Sequence, residues 1–139
     1  MLRIARTRDL DAVRALDRVI FVEASGDYPV EPDCGAWWLA LDGGEPVGFA
    51  GARRLTREPD FAVLERAGVL ESHRGLGLHR RLIRARLRWA RASGLAGVLT
   101  YTTPDNAPSA NALIRAGFRL DAPPWRWAGP QFAYWRAEL

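Results

Sequence analysis

The amino-acid sequence predicts a single mixed α/β domain, and three observations carry that expectation. Residues 78–92 place Leu82, Ile83, Leu87 and Ala90 on one helical face, with Arg80, Arg84, Arg88 and Arg91 as a stripe on another. Residues 36–41 and 47–52 are apolar, β-prone runs on either side of Asp42-Gly43-Gly44-Glu45-Pro46, the pattern of a hairpin. Residues 96–102 have the apolar density of a strand in a buried central position. With 139 residues and 48% apolar side chains, the chain suits one layered domain around one core.

The other elements follow in order. Residues 2–6 alternate apolar and basic, as a short edge strand does. Thr7-Arg8-Asp9 offers capping side chains to a helix in which Leu10, Val13, Leu16 and Ile20 recur at helical spacing. Residues 23–35 are broken by Gly26, Pro29, Pro32 and Gly35 and form a loop with room for a short helix. Residues 61–70 make a further strand. Gly94 sits where the 78–92 helix needs its C-terminal cap. Residues 105–116 form a second helix closed by Gly117, and residues 118–120 and 132–137 are late strands. No repeat, low-complexity segment or linker divides the chain, so 1–139 is one domain. Trp37 and Trp38 fall on opposite faces of their strand. At most one is therefore expected in the core, leaving the other to line a cleft or the interface of a homodimer.

Composition excludes several chemistries. All twenty Lys+Arg residues are arginine, so neither a Schiff-base lysine nor a phosphate-loop lysine exists. Cys34 is the only cysteine, which excludes an intrachain disulfide and a cysteine zinc site. His73 and His79 are too few for most metal sites without carboxylate help, and no metal is expected. The N-terminus lacks the apolar stretch of a signal peptide, and no uncharged apolar run approaches the length of a membrane span. A cytoplasmic protein without a membrane partner is the expectation.

Charge is divided unevenly. Residues 1–73 carry nine arginines and thirteen acids, whereas residues 74–139 carry eleven arginines and three acids. The second half thus faces something anionic. A duplex nucleic acid is disfavoured by Glu71 and the acids of the first half, so none is expected as partner.

The excess positive charge begins at Val69-Leu70-Glu71-Ser72-His73-Arg74-Gly75-Leu76-Gly77-Leu78-His79-Arg80, where a strand ends, glycines turn the chain and the arginine-rich helix starts. Glycines at such a turn let backbone N–H groups converge on one point, and the helix N-terminus adds partial positive charge. The arrangement suits a diphosphate without lysine. It is not a nucleotide phosphate loop, which needs lysine, nor the G-x-G-x-x-G fingerprint, which needs glycine where Arg80 stands.

This stretch resembles motif A of the GNAT superfamily of N-acetyltransferases, [Q/R]-x-x-G-x-[G/A], written here as Arg74-x-x-Gly77-x-His79. Downstream, Asn106-Ala107-Pro108-Ser109 and Leu113-Ile114-Arg115-Ala116-Gly117-Phe118 resemble motif B, and the order of elements matches along nearly the whole chain. The resemblance implies a GNAT fold, a mixed sheet of six to seven strands flanked by about four helices. It also implies transfer of an acetyl group from acetyl-CoA to a primary amine, by direct attack through a tetrahedral intermediate. By position, Val69 and Leu70 would pair with the pantetheine arm. The amides of Gly75, Leu76, Gly77, Leu78, His79 and Arg80, with the Arg74 side chain, would cradle the pyrophosphate. Asn106 would bond the pantetheine region with help from Ser109, and the helix arginines would meet the 3′-phosphate.

Two positions depart from the family pattern. His79 stands where a small residue is usual, and would either crowd the pyrophosphate or hydrogen-bond it. Leu113 stands where many members carry a proton-donating tyrosine; Tyr101 and Tyr134 are candidates to replace it, or are packing aromatics. A loss of catalysis with CoA binding retained is the alternative that Leu113 raises. Reaction at neutral pH also needs a base, because an amine of pKa near 10.4 costs roughly 4–5 kcal/mol to deprotonate. Glu65 shares parity with Val69, which predicts that both lie on one face and makes Glu65 the candidate base; the competing reading is a glutamate paired with Arg66 or another arginine. The acceptor itself is nearly silent in the sequence, although the acidic first half hints at a cationic one.

Overall fold

The computed structural model describes residues 1–21 and 35–139. The loop expected over 23–35, Cys34 included, lies outside the described residues apart from Gly35. Seven strands and three α-helices are described: β1 (Leu2–Thr7), α1 (Leu10–Ile20), β2 (Ala36–Asp42), β3 (Glu45–Arg54), β4 (Phe61–Val69), α2 (Leu78–Ala92), β5 (Gly97–Thr102), α3 (Ala107–Arg115), β6 (Arg119–Asp121) and β7 (Ala133–Glu138). A single 3-10 turn, Glu71–His73, precedes α2. The strands form one sheet in the order β1-β2-β3-β4-β5-β7-β6. Every neighbouring pair is antiparallel except β4–β5, which is parallel.

Local chemistry accounts for the helix limits. Asp9 caps α1 by accepting from the Ala12 N–H at 3.1 Å, and the Thr7 hydroxyl accepts from the Asp9 N–H. Asn106 caps α3 in the same way, its Oδ1 accepting from the Ser109 N–H at 3.2 Å, so that helix starts at Ala107 and not at 105. Helix α2 runs over the expected 78–92 and gives way to Gly94, whose φ is +74°.

The helices lie on both faces of the sheet. Leu10, Val13 and Leu16 of α1 pack on Trp37, Leu39, Leu41 and Phe49. On the opposite face Leu82, Ile83, Leu87 and Ala90 of α2 meet Trp38, Ala50, Leu64 and Val98. Each leucine buried in this way contributes roughly 2 kcal/mol of transfer free energy. Trp37 and Trp38 are both 3% exposed, which corrects the expectation that at most one is core. Alternation does send them to opposite faces, but each face has its own helix and so its own core. Trp135 is buried as well, whereas Trp125 is exposed with the Arg57 guanidinium 4.0 Å from its ring centroid.

Two irregularities shape the centre of the sheet. In the β3–β4 ladder Ala50 pairs with Ala67 and Ala52 with Leu64, so Glu65 and Arg66 together oppose the single residue Gly51. This bulge shifts the parity of β4 by one. Leu64 and Val69 consequently both face α2, although five positions separate them. The β4–β5 ladder, in turn, is confined to Phe61–Val63 against Gly97–Leu99, while both strands run on to Val69 and Thr102. A slot therefore opens between their C-terminal halves, where the Thr100 hydroxyl reaches the Leu64 carbonyl at 3.4 Å.

Candidate active site

The loop after β4 is built by glycines at positive φ. Gly75 and Gly77 both have φ +78°, a conformation that L side chains rarely adopt, and a Cβ at either would meet nothing within 4 Å. Glycine is required here by backbone conformation and not by space. Gly77 accepts the first bond of α2, from Arg81 N–H at 3.1 Å, so the N–H groups of Leu78, His79 and Arg80 precede the intrahelical ladder. These amides and the helix dipole converge at one end of a cleft of about 750 Å³.

The cleft gathers most of the residues singled out in the sequence. Val69, Arg74, Gly75 and Gly77 line it on the loop side, followed by Leu78, His79 and Arg80 from α2. Asn106 and Ser109 line it from α3. Leu70 and Leu76 do not. The Leu70 amide is taken by the Val47 carbonyl at 2.8 Å, so that amide serves β3, and the Leu76 side chain is exposed. Arg74 Nε donates to the Val69 carbonyl at 3.2 Å, which pins the arginine to the end of β4. His73 is fixed by Asp42, Nε2 to Oδ2 at 2.9 Å, and this hydrogen bond holds the Asp42 carboxyl below the usual carboxylate range. The imidazole thus ties the loop to the β2–β3 hairpin. Among the helix arginines, Arg80, Arg84, Arg88 and Arg91 are exposed as the stripe predicts, and only Arg80 of these lines the cleft.

A second cavity of about 230 Å³ occupies the slot between β4 and β5, with Leu64, Glu65, Thr100, Tyr101 and Leu113 among its walls. Phe21, Ala67, His79 and Ser109 line both spaces and form the neck between them. His79, placed where motif A usually ends in a small residue, therefore faces both the larger cleft and the slot. Burial, reinforced by the Arg86 charge, lowers its pKa from 6.5 to about 4, so the imidazole is neutral at pH 7.

Glu65 lies in the slot, but its parity argument fails. Glu65 follows Val63, the partner of Arg53, by two and so lies on Arg53's side of the sheet, whereas the bulge carries Val69 to the opposite, α2 face; the carboxylate forms an ion pair with Arg53 Nε. The neighbouring Arg66 joins Asp17 of α1 at 2.7 Å instead, with its guanidinium over the Phe21 ring. Of the two tyrosines, Tyr134 is committed to packing. Its hydroxyl donates to the Gly129 carbonyl at 2.7 Å and accepts from the Ala128 N–H, which closes the loop before β7. Tyr101 is half-buried in the slot, and burial, followed by the Glu65 charge, raises its hydroxyl above the ordinary phenol value.

Sequence reasoning missed Arg86. This residue is 2% exposed, and its guanidinium donates to the carbonyls of Leu82, Gly51 and Glu65. The signal was present. Position 86 follows Leu82 by four and Ile83 by three and precedes Ala90 by four, so this arginine sits within the apolar stripe. Among the described residues no group of three or more His, Cys, Asp or Glu side chains is placed to hold a metal ion, and no helix is long and apolar enough to cross a membrane.

The fold thus joins a glycine-turned loop at a helix N-terminus, suited to an anionic group, to a slot where two parallel strands part. Residues 10–118 match the model of the acetyltransferase (GNAT) family, and the chain belongs to that family. It is an acyltransferase of GNAT type. Solved structures agree on the fold. The ribosomal-protein-S18-alanine N-acetyltransferase of Escherichia coli superposes with a TM-score of 0.79 at 15% identity, covering 99% of this chain and 94% of that one. An acetyltransferase of Bacillus subtilis in complex with CoA gives 0.79 at 17%, covering 100% and 99%. The IAA acetyltransferase of Bacillus cereus gives 0.79 at 17%, covering all of both chains.

Proposed function

We propose that this protein transfers the acetyl group of acetyl-CoA to a primary amine by direct attack through a tetrahedral intermediate. The observation that carries the proposal is the neck at His79 and Ser109, which joins an amide-rich cleft large enough for a nucleotide-bearing donor to a small slot holding a carboxylate. The B. subtilis structure, which contains CoA, supports the donor assignment by shared fold. In this reading Arg74 and the amides of Gly75 to Arg80 hold the pyrophosphate. The edge of β4 at Val69 faces the pantetheine arm, with Asn106 and Ser109 on its other side.

Glu65 is the base of the proposed reaction. A carboxylate lining the slot can accept a proton from the incoming ammonium, directly or through water. Its position in the slot now supports the role, in place of a shared face with Val69. A backbone N–H near Val69 supplies the donor for the tetrahedral oxygen. Leu113 removes the common tyrosine acid, yet a thiol of pKa near 8.5 leaves readily as thiolate. Tyr101, kept protonated by burial beside Glu65, is the hydroxyl in the slot able to protonate it.

The test is CoA release from acetyl-CoA with a panel of primary amines, followed by mass measurement of the products. An amine-dependent gain of one acetyl group supports the proposal. CoA binding without turnover on any amine would favour the catalytically impaired reading that Leu113 raises.

A further inference from the structure

We infer that Arg86 is a positioning residue that fastens the β4 bulge, and with it the slot, in the shape that acyl transfer requires. Its kinetic consequence rests on the acetyl-transfer reading above, while its structural consequence does not.

The geometry is specific. Arg86 Nη1 donates at 3.2 Å to both the Gly51 and the Glu65 carbonyls. Gly51 is the lone β3 residue at the bulge, and Glu65 is one of the two β4 residues opposing it. A bulge disrupts the ladder locally and leaves backbone groups there in need of other partners. Arg86 reaches through the core to supply one. Nε donates to the Leu82 carbonyl one turn earlier on the same helix, at 3.2 Å, and this contact orients the guanidinium plane. A planar group with five donors is well suited to binding several carbonyls at once.

The placement links the two halves of the site. Helix α2 starts at the glycine loop that lines the larger cleft and carries Arg86 about two turns further on. One rigid element thus sets both the loop amides and the β4 backbone at Glu65, the residue proposed as base. Arg86 also lines the slot, together with His79 and Glu65. An arginine that served only to fill volume would be replaceable by methionine, which has similar reach and no donors.

The experiment compares Arg86→Met and Arg86→Lys in the full chain, by acetyl-CoA affinity, steady-state kinetics and backbone hydrogen exchange across β4. For Arg86→Met we expect acetyl-CoA affinity within about threefold of wild type, a kcat reduced at least about thirtyfold, and faster exchange over residues 64–67. The Lys variant, whose ammonium keeps donors for the same carbonyls, is expected to regain much of the rate and the slow exchange. Retention of kcat and of slow exchange by Arg86→Met overturns the assignment, as does an equal loss of both in the two variants. If the wild-type chain acetylates no amine, the transfer reading fails and exchange alone decides on Arg86. If Arg86→Met does not fold, Arg86→Gln and Arg86→Lys are compared instead. Protection kept by Lys and lost by Gln supports the role, and identical behaviour overturns it.

Discussion

Glu65 and Arg53 form an ion pair across the β3–β4 ladder, on the side of the sheet turned away from α2. Alternation places Glu65 on the side of Arg53, because Arg53 pairs with Val63 two residues earlier, and the bulge opposite Gly51 then carries Val69 to the other face. A carboxylate held there lines the slot. Glu65→Gln should lower kcat by about a hundredfold with acetyl-CoA affinity unchanged. Stopped-flow CoA release over pH 5.5–9 checks this expectation. Unaltered kinetics would leave Glu65 as a structural partner of Arg53.

Loop conformation gives a second prediction. Gly77 sits at φ +78° at the start of α2, with open space where a Cβ would project. Gly77→Trp should abolish acetyl-CoA binding by strain and by obstruction of the cleft. The strain alone is worth on the order of 1–2 kcal/mol. Calorimetric titration reads the loss, and a melting curve confirms that the variant folds.

His79 gives a pH prediction with a definite sign. Its folded pKa, about 4, lies below the unfolded value of 6.5, so the folded state prefers the neutral ring. The resulting stabilisation is fully present above pH 6.5 and is lost as pH falls from there toward 4. The unfolded chain binds the extra proton in that window, at a cost approaching 1.4 kcal/mol per pH unit. Urea denaturation at pH 7 and at pH 5 should show the decline, and His79→Gln should flatten it.

Much of the fold and part of the site were legible in the sequence, and the reasons are physical. Helix α2 was marked by its apolar stripe and by Gly94, the hairpin by Gly43-Gly44, and the glycine loop by its composition, all of them local signals. The bulge was not legible. Nothing in Leu64-Glu65-Arg66-Ala67 marks an extra residue, so a period of two was carried through it and placed Glu65 on the wrong face. Trp37 and Trp38 were misjudged because burial on both sides depends on where α1 and α2 pack, which is tertiary information. Arg86 was hidden by the expectation that arginine belongs to the surface, although its neighbours in the stripe are apolar.

The buried pair of Asp17 on α1 and Arg66 on β4 gives a stability prediction. Their 2.7 Å contact joins α1 to the strand bearing the slot, and Asp17 is nearly inaccessible. Asp17→Asn leaves the arginine charge without this carboxylate in a largely buried setting, and should cost about 3 kcal/mol. Chemical denaturation measures it. Loss of the same magnitude in Arg66→Met, with partial recovery in the double variant, would mark the coupling.

Tyr101→Phe tests the proposed proton donor in the slot. A fall of about tenfold in kcat, greatest at the alkaline end where solvent protons are scarcest, is the expected result for protonation of the thiolate by Tyr101. An unchanged rate assigns the ring to packing with Trp127 and Phe132, which surround it.

The most direct test of acetyl transfer is an end-point assay of the wild-type chain with acetyl-CoA and a panel of primary amines, pairing CoA release with product mass. Amine-dependent release matched one for one by an acetylated product is the predicted result. CoA release that no amine accelerates, with no acetylated product on any of them, would contradict it.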